Sequence, residues 1–171
     1  MSITRIETPR LMLALESLEE TRARIDAMSA TDKVDLSADW LSLLGSATSA
    51  DPWILGFNMS LRVNNIIVGQ CGFKGPPTPD GVVEIAYCVE PANQRNGYAS
   101  EAALALVFYA FEHKEVQLVR AHTLPEANAS TRVLTKCGFR NVGEVIDPDD
   151  GPVWRWEKQR DAADQREERD S

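Results

Sequence analysis

Three cysteines, two histidines and no apolar run of membrane-spanning length narrow what this chain of 171 residues can be. Cys71, Cys88 and Cys137 lie far apart, show no metal-ligand spacing and, as three, cannot all pair. Buried free thiols in a reducing cytoplasm are expected, with no structural metal. Basic charge is also scarce: 18 Lys and Arg stand against 26 Asp and Glu, a net charge of −8. A general nucleic-acid binder would need a basic stripe to neutralise phosphates, so a neutral or cationic small partner fits better. Nothing approaches the roughly 20 apolar residues of a membrane helix. Met1-Ser2-Ile3-Thr4-Arg5 does not begin a signal peptide, and a cytoplasmic protein with no membrane partner is expected. Repeats and inter-domain linkers are missing too. The expectation is one domain over residues 1–160 followed by a polar, mobile tail over 161–171.

What is present centres on Gly81 to Phe111. Val82 to Val89 is an apolar, β-branched run holding one carboxylate, Glu84, and Glu90-Pro91 closes it as a strand. A small polar turn, Gln94-Arg95-Asn96-Gly97-Tyr98-Ala99, leads into a helix from Ser100 to Phe111 rich in Ala and Leu. A strand feeding a helix through small residues leaves backbone N–H groups unpartnered at the positive end of the helix dipole, which is an anion site. It is neither GxxxxGK(S/T) nor the three-glycine dinucleotide loop, which disfavours a nucleotide-binding protein.

Around this unit, Thr8 to Leu15 alternates as a first strand with Leu11, Leu13 and Leu15 on one face. Ser17 followed by Glu20 opens a helix to about Met28, and a second short helix is expected over Thr31–Leu41. Trp53–Leu61 and Asn65–Phe73 form a hairpin, and Val116–Thr123 follows the long helix as a strand. Asn128 or Ser130 caps a helix ending at Gly138, and Phe139–Val145 with Val153–Trp156 closes the chain. Hairpins mixed with one strand–helix–strand crossover make an α+β fold with a mixed, mostly antiparallel sheet flanked by helices.

Three stretches in register then resemble one family. Gln94-x-x-Gly97-x-Ala99 is similar to the coenzyme A pyrophosphate loop of the GNAT superfamily of N-acetyltransferases. Thr8-Pro9-Arg10-Leu11 and Asn128 to Phe139 resemble the same superfamily, in its branch of ribosomal-protein (alanine/serine) N-terminal acetyltransferases. The resemblance implies a sheet splayed at the cofactor site, acetyl-CoA as acetyl donor, and direct attack by a primary amine in a ternary complex. It places Val89, Gln94, Arg95, Asn96, Gly97, Tyr98, Ala99, Ser100, Asn128 and Arg132 against the coenzyme. Glu84 is implied as the base, with burial raising its pKa toward useful values. The superfamily's helix tyrosine is replaced here by Leu134, and Ser130 is either a contact to the thiol region or a helix cap.

The acceptor site is expected from Asp32 to Trp53, the strand face of Glu84 and the Asp147–Pro152 turn. Asp32, Asp35, Asp39, Asp51, Asp147, Asp149 and Asp150, interleaved with Trp40 and Trp53, would suit a cationic amine. The acceptor is a protein N-terminus or a small cationic amine, and the acyl group acetyl or longer. The rival class is a coenzyme A-binding sensor or interaction module without transfer, marked by Trp40 or Trp53 plugging the cleft. Neither His113 nor His122 has a sequence neighbour that marks a triad. Val153, Trp154 and Trp156 suit a subunit contact or the core equally, so monomer and homodimer both stay open.

Overall fold

The computed structural model describes residues 4–160 apart from 35, 37, 49, 50 and 149. The expected tail over 161–171, with Asp35 and Asp149, lies outside the described residues. The chain opens on a hairpin, β1 (Arg5–Glu7) and β2 (Leu11–Leu15), rather than a single strand from Thr8. Pro9 has no N–H for a ladder, and the Thr8 N–H donates to the Leu11 carbonyl while the Thr8 hydroxyl oxygen accepts the Leu11 N–H, so the Thr-Pro-Arg stretch turns. Leu11, Leu13 and Leu15 are buried on one face as their alternation requires.

Ser17 caps α1 (Leu18–Asp26) by accepting the Glu20 N–H at 3.0 Å. Two short helices, α2 (Ala30–Val34) and α3 (Ala38–Ser46), occupy the place of the single one expected. The Trp53–Leu55 segment is a turn, not strand. Asp51 holds the Trp53 N–H through its side chain and the Leu55 N–H through its carbonyl, diverting both from a ladder. β3 (Phe57–Leu61) and β4 (Ile67–Phe73) form the hairpin, with Asn65 at φ 60° in its turn.

The central unit follows: β5 (Val82–Val89), a 3-10 turn over Pro91–Asn93, α4 (Tyr98–Phe111) and β6 (Leu118–Thr123). α5 (Ala129–Lys136), β7 (Arg140–Asp147) and β8 (Gly151–Gln159) complete the described chain. The eight strands run in the order β1-β2-β3-β4-β5-β6-β8-β7. Every neighbouring pair is antiparallel except β5 with β6, so the sheet is mixed and mostly antiparallel, as expected.

The alanine-rich α4 lies close on the sheet. Ala102, Ala103, Leu106, Val107 and Ala110 meet Leu13, Phe57, Val83 and Ile85 in one buried cluster. Each large aliphatic or aromatic side chain buried there contributes about 1.5–3 kcal/mol. The buried Arg160 guanidinium closes the far end, donating to the carbonyls of Phe111, His113 and Val116 at 2.7–2.9 Å. At the end of α5, Gly138 takes φ 85°, while its N–H and that of Phe139 return to Thr135 and Leu134. Val153 and Trp156 belong to the buried interior, the indole N–H meeting Thr123 Oγ1 at 3.1 Å.

One irregularity positions the site. The β5–β6 ladder runs Val82↔Leu118, Val83↔Val119, Glu84↔Arg120 and ends there. Beyond Glu84 the two strands part. The Lys74 N–H donates to Glu84 and the Glu90 N–H to Val68, so even-numbered backbone groups of β5 face β4. Those of Tyr87 and Val89 therefore face the opening that β6 leaves.

Candidate active site

The turn before α4 is built from two left-handed residues. Arg95 has φ 68° and Gly97, the N-cap of α4, has φ 80°. Alternating hands bring successive N–H groups to one side as a nest, and the N–H groups of Tyr98, Ala99 and Ser100 precede the first intrahelical bond, Glu101 to Gly97. Tyr98 and Ala99 are thus first-turn residues of the helix, which starts two residues earlier than Ser100.

This turn is clamped from the chain start. Glu101, in the first turn of α4, accepts from the Thr8 hydroxyl, the Arg10 backbone N–H at 2.9 Å and Arg10 Nε at 2.8 Å. Those contacts outweigh the effect of burial and hold the Glu101 carboxyl below its ordinary value. Arg10 Nη1 also donates to the Asn96 carbonyl at 2.7 Å, and its guanidinium lies 4.8 Å over the Tyr98 ring. The Thr-Pro-Arg motif is therefore a brace for the nest, a role its residues do not announce.

A groove of about 510 Å³ runs from the nest along the end of β5 to α5. Val89, Gln94, Arg95, Gly97, Tyr98, Ala99, Ser100, Ser130 and Arg132 line it, gathering most of the residues expected at a coenzyme. Asn96 and Asn128 do not. The Asn96 amide braces the turn on Asn93 and Gln94 carbonyls, and Asn128 caps α5, accepting the Thr131 N–H at 3.0 Å in a reciprocal capping box. The Val89 carbonyl accepts the Gln94 side-chain amide at 3.1 Å. Ser130 is not the cap. Its hydroxyl lies 3.0 Å from the Tyr87 hydroxyl.

Sequence reasoning missed several groove residues, Lys136, Tyr87 and Cys88 among them. Lys136 stands one turn from Arg132 on α5, so with Arg95 the groove carries three cations in a chain of net charge −8. The i, i+4 spacing was the available signal. Tyr87 enters from β5, and burial raises its phenol above the ordinary value, which keeps it a proton-bearing donor. Cys88 is exposed in the groove, not buried, because β6 has turned away from that part of β5. Cys71 and Cys137 are buried as expected, and burial pushes the Cys71 thiol up to about 12.

Glu84 occupies the other side of the same strand. Its Oε2 lies 3.1 Å from Lys74 Nζ and 3.1 Å from His122 Nδ1. The histidine contact lies off the line of a well-formed hydrogen bond and acts as a close electrostatic one. Arg155 Nε donates to His122 Nε2 at 3.1 Å, so the ring proton sits on Nδ1, toward the carboxylate. Burial pushes the Glu84 carboxyl up, but His122 and Lys74 together outweigh it, and the carboxyl titrates below its ordinary value. The expected upward shift is therefore corrected: the strand is buried among apolar residues, yet β4 brings the Lys74 ammonium to it and β6 the proton-bearing Nδ1 of His122. Burial pulls the Lys74 ammonium down, and Glu84, Asp150 and Asp147 raise it more. His122 thus has a partner that only the parallel register supplies, two residues past the Glu84↔Arg120 pair.

Beside this network a second cavity of about 250 Å³ opens, walled by Trp40, Ile54, Phe73 and Lys74, with Ala86 and Asp150. The expected acidic cage is not assembled: of the described aspartates, Asp150 alone lines this cavity. Trp53 packs away from it against Phe73, Tyr109 and His113. Neither tryptophan plugs the cleft. Ala86 lines one cavity and Tyr87 the other, so the two spaces meet across one strand where its neighbour has parted. Among the described residues no group of three His, Cys, Asp or Glu is placed to hold a metal ion, and no helix is long and apolar enough to cross a membrane.

Comparison with known proteins bears on this arrangement. Residues 5–140 match the acetyltransferase (GNAT) domain. The chain is 33% identical over 89 residues to the uncharacterised N-acetyltransferase YjdG of Bacillus subtilis, covering 52% of this chain and 51% of that one. It thus spans about half the length of that curated relative. Among solved structures, a GNAT-family acetyltransferase from Bacillus anthracis superposes with a TM-score of 0.66 at 23% identity, over 91% of this chain and 98% of that one. The aminoglycoside acetyltransferase AAC(6')-Ib in complex with coenzyme A superposes at 0.66 and 18% identity, over 93% and 99%.

Proposed function

From the premise that this chain belongs to the GNAT acetyltransferase family, we propose that it moves an acetyl group from acetyl-CoA to a primary amine, by direct attack in a ternary complex. The observation that carries the reading is the pair of cavities meeting at Ala86 and Tyr87, one cationic and lined by a nest, the other beside an ionised carboxylate. The thioester of acetyl-CoA supplies the activated acyl group. The nest over Arg95 to Ser100, with Arg95, Arg132 and Lys136, suits its phosphates, and the backbone edge that β6 leaves at Tyr87 and Val89 suits an amide-bearing arm.

On the other side Glu84 stays ionised at neutral pH. Its part is to hold the incoming ammonium, lead its proton away through water, and stabilise the positive charge that grows on nitrogen during attack. Because a free alkyl ammonium has a pKa near about 10.4, the rate rises with pH through the neutral range as more amine is deprotonated. The Tyr87–Ser130 pair is a fixed donor at the groove side of the junction. The acceptor is a protein N-terminus or a small cationic amine. An open cleft supports transfer over a coenzyme sensor.

The test is acetyl transfer to an amine panel by the full chain and by Glu84→Gln. Transfer by the wild type, falling by about 10²–10⁴ in kcat in the variant with acetyl-CoA affinity kept, is expected. A wild type that binds acetyl-CoA and acetylates none of the panel sinks the reading.

A further inference from the structure

The cavity beside Glu84 is specific in what it lacks. Its walls are aromatic and aliphatic, and they are held stiffly. The Trp40 indole N–H donates to the Ile54 carbonyl at 2.6 Å, and Phe73, 3% exposed, carries Trp53 on its ring at 4.7 Å. The Cys71 thiol is neutral at this wall, since burial holds its proton. Negative charge is spoken for: Lys74 sits 3.1 Å from Glu84 and within the field of Asp150 and Asp147, while Arg24 is paired with Glu16 at 2.9 Å. The other described acids of the neighbouring loops serve the backbone instead. Asp51 caps the Trp53 turn, and Asp32 and Asp39 occupy first turns of their helices. At about 250 Å³ the space is smaller than the roughly 300–1,000 Å³ that holds a drug-sized ligand.

We infer that the acceptor is a single primary amine carried on a compact apolar body, aromatic or branched aliphatic and about one amino-acid side chain in size, and not a polycation. The inference rests on the acetyltransferase reading for the meaning of the site, but the cavity's preference is a property of binding. One ammonium can share Glu84 with Lys74. A second or third would meet Lys74 and Arg24, with Asp150, already in the field of Lys74, as the one described aspartate at the wall, and its hydration would be lost against the apolar part of that wall. A free monoamine and the first residue of a peptide present the same chemistry here.

The test separates binding from turnover. The full chain, saturated with coenzyme A so that no transfer occurs, is titrated calorimetrically with 2-phenylethylamine, 1,4-diaminobutane, a deoxystreptamine aminoglycoside, and a tripeptide beginning with phenylalanine. The expected result is that 2-phenylethylamine binds at least about tenfold more tightly than the diamine or the aminoglycoside, a difference of about 1.4 kcal/mol. Equal binding by the tripeptide assigns the N-terminal residue as the source; rejection of it assigns the free amine. Ala86→Leu, which adds bulk at an exposed position of this wall, is expected to weaken 2-phenylethylamine about tenfold or more while coenzyme A affinity holds. Equal or tighter binding of a polycation overturns the inference, as does a panel in which no amine binds. Discriminating binding with no transfer from acetyl-CoA would leave the inference standing and remove the acetyltransferase reading. Efficient transfer with preference for the polycation would do the reverse.

Discussion

The two sides of β5 are built by opposite means. On the groove side the backbone does the positioning. Left-handed Arg95 and Gly97 turn N–H groups inward, α4 points its positive end at them, and the Thr8–Arg10–Glu101 clamp fixes the arrangement from 90 residues away. On the acceptor side the working group is one side chain, Glu84, held by Lys74 from β4 and His122 from β6 beside a cavity walled in part by α3 and the turn before β3. A backbone site must keep its shape but tolerates changes in most side chains. A side-chain site tolerates backbone neighbours but depends on each partner's charge.

The hardest blow to that contrast is Gly97→Glu. A left-handed non-glycine residue costs about 1–2 kcal/mol, its Cβ would stand 3.1 Å from Arg10, and a carboxylate would enter an anion site. Acetyl-CoA affinity is expected to fall by about 100-fold or more in calorimetry, while amine binding on the other face is kept. Loss of both together would show the faces to be one unit.

Arg10→Ala sharpens the comparison more gently. It removes the contacts to Glu101, Asn96 and Tyr98 but nothing that lines the groove. Acetyl-CoA binding is expected to weaken about tenfold, and Glu101→Gln to add little to it, because both loosen one brace. Additive losses in the double-mutant cycle would mean that the clamp is not a unit.

The smallest effect concerns pH. Glu84 titrates below its ordinary value of 4.5, so its contribution to stability is complete above that value and is lost as pH falls through the lower folded one. Thermal midpoints of wild type and Glu84→Gln should run parallel above pH 5 and converge below pH 4.5. Parallel curves across the acid range would show that Lys74 and His122 do not hold the carboxylate.

How much of this was legible in the residues follows the same division. The anion turn was, because Gln94 to Ser100 is contiguous and a glycine between a strand and an alanine-rich helix has a local meaning. The Thr8 turn was misread because alternation continued through Pro9, although proline forbids the ladder there. Cys88 read as buried, because the departure of β6 from β5 is invisible within either strand. The acceptor side was misjudged in charge: counting aspartates along loops suggested a cationic cage, and helix first turns and backbone caps claimed those acids.

By itself the sequence determined what depends on neighbours in the chain: the alternation of β2, the apolar run of β5, the cap at Ser17, the left-handed stop at Gly138, and the anion turn before α4. Tertiary structure alone decided what depends on parallel pairing and its end. It placed His122 and Lys74 on Glu84, Tyr87 on Ser130, Arg10 on Glu101, and the two cavities on either side of one strand. The reason is range: propensity and capping act within a turn or two, whereas charge and cavity shape come from side chains as far as 91 positions apart, brought together by burial of the core.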